Sequence, residues 1–111
     1  MRLVIDFGEP VLREDVILAI QPNDLDDFYV AASDFDKSNL FFVLLTSLHQ
    51  FEERGDARRA AHLSFLIAYY LFVTLTPPGS FYLARHYINK ALSFDPISEY
   101  EEWRVLIEKG N

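Results

Sequence analysis

The chain has no cysteine, which removes disulfides, thiolate nucleophiles and Cys-based zinc sites together. Basic residues are few: ten Lys and Arg against seventeen Asp and Glu leave a formal charge of −7. A surface of that sign does not track phosphates, so no nucleic-acid partner is expected. Glycine is scarce as well. None of the four glycines belongs to a Gly-x-Ser-x-Gly elbow, a P-loop or a Gly-rich dinucleotide turn. Residues 60–76 hold no Asp, Glu, Lys or Arg, yet they fall short of the ~20 residues a membrane-spanning helix needs and contain His62, Tyr69 and Tyr70. At the N-terminus, Asp6 interrupts Met1-Arg2-Leu3-Val4-Ile5 before a secretory apolar region is reached, so a cytoplasmic location is expected.

What is abundant is apolar and aromatic surface. Half of the 111 residues are hydrophobic, with ten Phe and six Tyr, far from the composition of a disordered chain. A chain of this length buries a core unaided, and one domain spanning residues 1–111 is expected.

Hydrophobic periodicity divides the chain. Residues 2–7 and 16–20 are short runs rich in Val, Ile and Leu; they are expected to be extended, within an N-terminal segment 1–22 available for β-pairing. Asn23 or Asp24 can cap a helix to about Ser33, with Asp26 and Asp27 in its first turn, where the helix dipole favours negative charge. Ser38 is the expected cap of the next helix, whose Leu40, Phe41, Leu44, Leu45, Leu48 and Phe51 follow helical spacing until Gly55 stops it. Asp56 opens a long helix to about Thr76 that is apolar almost all round and therefore belongs in the middle of a bundle. Pro77-Pro78-Gly79 ends it. Ser80 begins a helix to about Phe94; Ser98 and Glu101 have capping-box spacing for a last helix ending near Lys109 at Gly110. Short linkers imply antiparallel neighbours.

Residues 63–96, about a third of the chain, resemble a tetratricopeptide repeat, a helix-turn-helix unit that stacks in tandem into peptide-binding grooves. Gly79 stands at the turn, Ala84 and Ala91 at the family's small positions, Ile88 at a large apolar position and Pro96 at the end of the unit. Leu71 fits an apolar site of the first helix, whereas Ala68 and Phe72 depart from the pattern. A second turn of the same kind, Gly55-Asp56, lies 24 residues before Gly79 instead of the ~34 of a tandem array. The resemblance implies helical-hairpin packing and points toward protein binding.

Site chemistry is sparse. Asp34-x-Asp36-x-Ser38 begins like a calcium loop, but Asn39 stands where that loop needs glycine and Leu45 where it needs a bidentate Glu. His49, His62 and His86 are never three or four residues apart, so no helix face offers a paired metal grip; His62 and His86 could meet only if the helices around Pro77-Pro78 fold back on each other. Glu52 and Glu53 are adjacent and point apart on a helix, so they cannot share a proton. No catalytic residue, metal or cofactor is therefore expected, and the chain reads as a non-enzyme. Arg58 and Arg59 sit in a first helical turn, where the dipole disfavours cations; they either pair with Glu52 or Glu53 across the Gly55 turn or contact a partner's carboxylate. Trp103 should seal the last helix onto the bundle.

The resulting expectation is a mainly α domain: an antiparallel bundle of helical hairpins over residues 23–111 behind the extended segment 1–22. Its function is expected to be protein–protein interaction, either with another protein or with itself as a homodimer. Tyr82, Arg85 and Tyr87 form one candidate partner-binding set, an aromatic–cation cluster of the kind enriched at interfaces. Asp24, Asp26 and Asp27 form the other, within an N-terminal third that carries nine Asp and Glu against three Lys and Arg. The acidic set suits a second reading, a small inhibitor similar to bacterial immunity or antitoxin proteins that neutralises a basic partner.

Overall fold

The most apolar segment of the sequence becomes the middle of the molecule. In the computed structural model, which describes residues 1–110, every residue from Ala60 to Phe72 is buried. This segment is covered on several sides because a helix apolar all round cannot face water on any of them. Six α-helices supply the cover and the centre: α1 (Glu14–Ile17), α2 (Pro22–Ala31), α3 (Asp34–Glu53), α4 (Ala57–Tyr69), α5 (Ser80–Phe94) and α6 (Ser98–Lys109). A π-helical segment, Tyr70–Leu75, extends α4. α4 packs most extensively on α5 and then on α3, α6 lies against α5, and α2 meets the π segment.

The helix boundaries follow local chemistry. The C-terminus of α3 is closed by Gly55 at φ +70°, with Asp56 N–H donating to Phe51 C=O at 3.0 Å and Gly55 N–H to Glu52 C=O at 3.1 Å. That pair of bonds satisfies the last carbonyls in a Schellman arrangement. Asp56 then caps α4, as expected, accepting from Arg59 N–H at 3.2 Å. Gly110 at φ +72° ends α6. Trp103 meets Tyr69 edge-on at 5.2 Å and Phe65 at 6.4 Å, and Tyr100 stacks beside Phe65 at 5.1 Å, so α6 is sealed by aromatic contacts.

Several expected boundaries move. Ser33, not Ser38, caps α3, accepting from Asp36 N–H at 3.1 Å; the helix begins five residues earlier than expected because its first turn is acidic and solvated, outside the apolar pattern. Gln21 precedes α2, with Pro22 at the first helical position, where its missing N–H costs nothing. Asp24 is therefore the third helical residue and reaches back to Gln21. Ser80 and Ser98 are each the first residue of their helices, after Gly79 and Ile97. Glu101 binds Arg104 instead of completing a capping box.

The N-terminal segment departs most from expectation. No strand occurs among the described residues, and Val16 and Ile17 lie in α1. Ile17 and Ile20 are fully buried, and α1 lies against α4, so this run finds its partner in the helical core and needs no sheet. Residues 2–7 are not helical, but Leu3 and Ile5 are half-buried against the core while Arg2, Val4 and Asp6 face solvent. That two-residue alternation is the burial pattern of an extended chain laid on a surface. The loop behind it is pinned by Ser47, whose Oγ accepts from Leu12 N–H at 2.9 Å and donates to Val43 C=O at 2.7 Å. No helix among the described residues is long and apolar enough to cross a membrane.

Candidate interaction surface

Two of the three acidic residues singled out in the sequence are committed inside the fold. Asp24 is buried; its Oδ2 accepts from Gln21 N–H at 2.7 Å and its Oδ1 from the Met1 ammonium at 2.8 Å. Burial alone would raise its pKa, but these donors hold the carboxyl below its ordinary range. Asp26 accepts from Tyr69 Oη at 2.7 Å and Thr74 Oγ1 at 2.8 Å, one bond to each oxygen. Burial first, and Asp26 second, push the Tyr69 phenol up to about 12. Of the three, Asp27 alone is exposed.

The aromatic–cation set divides too. Tyr82 is 69% exposed, and Arg85 lies over its ring at 6.0 Å and over Phe81 at 5.4 Å while approaching Glu108 at 4.0 Å. Tyr87 is on another side of α5, half-buried against the core and edge-on to His86 at 4.9 Å. Five residues along an α-helix turn through about 140° beyond one full turn, so Tyr82 and Tyr87 cannot share a face. Ala84, Ile88 and Ala91 are fully buried, Gly79 holds φ +78°, and Pro96 is exposed just past the end of α5.

The remaining polar candidates are structural or solitary. His62 is buried, with Nε2 2.7 Å from Ile20 C=O; a carbonyl only accepts, so Nε2 carries the proton. His86 is exposed on α5, and no group of three or more His, Asp or Glu among the described residues could hold a metal ion. Arg59 binds Asp56 at 2.9 Å and also Glu14, through its side chain at 3.5 Å and its carbonyl at 3.0 Å. Arg54 reaches Glu14 and Lys90 reaches Glu52. For Arg59 the expected pairing with Glu52 or Glu53 is thus replaced by links to α1 and the α4 cap, while exposed Arg58 makes no ion pair among the described residues.

What the sequence did not single out is the exposed apolar surface. A cleft of about 600 Å³ lies between residues 1–7, α2 and the start of α3, with Phe28, Ala31 and Ala32 on one wall and Asp27 and Asp36 among its polar groups. The three most exposed large apolar side chains among the described residues are Val30 at 84%, Val4 at 78% and Phe35 at 76%. They sit on the three segments that border this cleft. A smaller, more apolar groove of about 230 Å³ runs between α3, the π segment and α5, lined by Phe41, Phe42, Leu75 and Leu83. The chain matches no family model, no curated protein and no solved structure.

Proposed function

We propose that this chain is a non-enzymatic protein–protein interaction module that works by associating with itself. The observation that carries the reading is one cleft in which exposed Val4 and Phe7 stand with Phe28, Ala31 and Ala32, while Val30 and Phe35, each with at least three quarters of its surface in water, lie on the α2 and α3 segments that border it. Single exposed apolar residues are ordinary, but an open apolar cleft that carboxylates also line has the composition of an interface. The tetratricopeptide-like reading belongs here as well. The buried Ala84, Ile88 and Ala91 and the left-handed Gly79 support a close α4–α5 hairpin, and one such unit serves as a scaffold because a groove needs several stacked repeats.

The inhibitor reading has less support, since Asp24 and Asp26 spend their oxygens internally. It would rest on Asp27, Asp34 and Asp36.

Light scattering of the purified protein from micromolar to millimolar concentration tests the proposal. A mass that rises to a defined oligomer is expected; a chain that stays monomeric at millimolar concentration would falsify self-association.

A further inference from the structure

Residues 2–7 carry a charge pattern that complements itself. Among the described residues, no backbone N–H from Arg2 to Phe7 donates to another group of the chain; only the Asp6 carbonyl is used, accepting from Glu9 N–H at 2.9 Å. The segment is about as long as an ordinary strand, and its exposed backbone is an open pairing edge. Leu3 and Ile5 fix it to the helical body, leaving Arg2, Val4 and Asp6 on the outer row. Neither Arg2 nor Asp6 is in an ion pair with a described residue. Asp6 Oδ1 accepts from Gly8 N–H at 2.9 Å, closing the turn that ends the segment, and Oδ2 remains for another donor.

We infer that this edge pairs with the same edge of a second copy, antiparallel and centred on Val4; the inference rests on the self-association proposed above and assigns its surface and register. In that register Val4 faces Val4 of the other copy, Leu3 faces Ile5, and Arg2 faces Asp6. The arrangement is two-fold symmetric, so both Arg2–Asp6 contacts form together and the assembly closes as a dimer. Directly opposed residues of an antiparallel pair share a face. The outer row therefore alternates Arg2, Val4 and Asp6 with Asp6, Val4 and Arg2 of the second copy, and the apolar row of Leu3 and Ile5 stays on the two helical bodies. A parallel, in-register pair would instead set Arg2 against Arg2 and Asp6 against Asp6. The charge order selects the antiparallel register over the parallel one, and a second copy of this chain supplies the complementary charges. Val4, otherwise one of the most exposed apolar side chains, becomes the centre of the contact.

The test uses Arg2→Asp and Asp6→Lys. Each variant alone places like charges opposite one another twice, so each should dimerise more weakly than wild type, on the order of tenfold or more. Mixed in equal amounts, the two variants restore both attractions, one strand carrying Asp at 2 and 6 and the other Arg and Lys. Light scattering should then show the mixed dimer at concentrations where each variant alone is monomeric. Both positions are exposed, and circular dichroism of each variant should match wild type. Wild-type dimers that persist unchanged in both single variants would overturn this inference while leaving self-association standing. A monomeric wild-type chain would overturn both. Variants that weaken association without rescue on mixing would also overturn it, since the loss would then not come from this cross-pairing.

Discussion

His62 shows how a buried side chain makes stability depend on pH. Burial pushes its imidazole below the ordinary histidine range, against the hydrogen bond to Ile20, which favours the protonated ring. In the unfolded chain the same group titrates near ~6.5. Below that pH the unfolded state takes up a proton that the folded state refuses, so this contribution is intact above about 6.5 and is lost as pH falls toward the folded-state pKa. Urea denaturation at neutral and mildly acidic pH should show the loss. His62→Gln, which can keep a donor toward Ile20 without titrating, should flatten it; an unchanged pH slope in that variant would assign the effect elsewhere. Thr76 is a second residue with a conformational cost. It holds φ +46°, a left-handed conformation that costs a β-branched residue about 1–2 kcal/mol. Glycine adopts it freely but enters with more unfolded-state entropy. Thr76→Gly should therefore be neutral or stabilise by up to about 1 kcal/mol, and a clear loss of stability would show that the threonine side chain does something there.

At the scale of elements, the π segment explains where the sequence was misleading. In an α-helix, Tyr69 and Thr74 would point about 140° apart; the wider π turn after Tyr69 brings both hydroxyls onto Asp26. Asp26→Ala would strand Tyr69 Oη and Thr74 Oγ1 and should cost about 1–3 kcal/mol, whereas exposed Asp27→Ala should stay within about 0.5 kcal/mol. Equal effects at the two positions, read by thermal or chemical denaturation, would contradict this division. Much of the helical order was legible, because α4 is apolar all round and Gly55, Asp56, Pro77-Pro78 and Gly110 are strong local signals. The fate of the acidic candidates was not: Asp24 and Asp26 look solvated in sequence, and only tertiary contact with Met1, Tyr69 and Thr74 removes them from the surface. The exposed Val30 and Phe35 were missed for a related reason. Taking Ser38 as the start of α3 left Phe35 outside any helix, although Ser33 spaced three residues before Asp36 was available as the capping signal.

For the whole molecule, the relevant contrast is between a centre that opens only with global unfolding and an edge that has no internal partners. α4 is buried from Ala60 onward and packed by α3 and α5, so its amides beyond the first turn should exchange with solvent at rates set by the full unfolding free energy. The amides of residues 2–7 have no acceptor within the described chain, so in a monomer they should exchange almost as fast as in an unfolded peptide. Dimerisation through this edge changes that prediction in a concentration-dependent way. An antiparallel pair bonds the N–H groups that face the partner and leaves the alternate ones free. Hydrogen exchange followed by NMR should therefore show protection appearing at alternate residues between Arg2 and Phe7 as protein concentration rises, while α4 protection changes only by the mass-action stabilisation of the folded state. Protection that rises instead at Val30 and Phe35, with residues 2–7 still exchanging freely, would place the contact on the exposed surface of α2 and α3 and remove the strand pairing from the assembly.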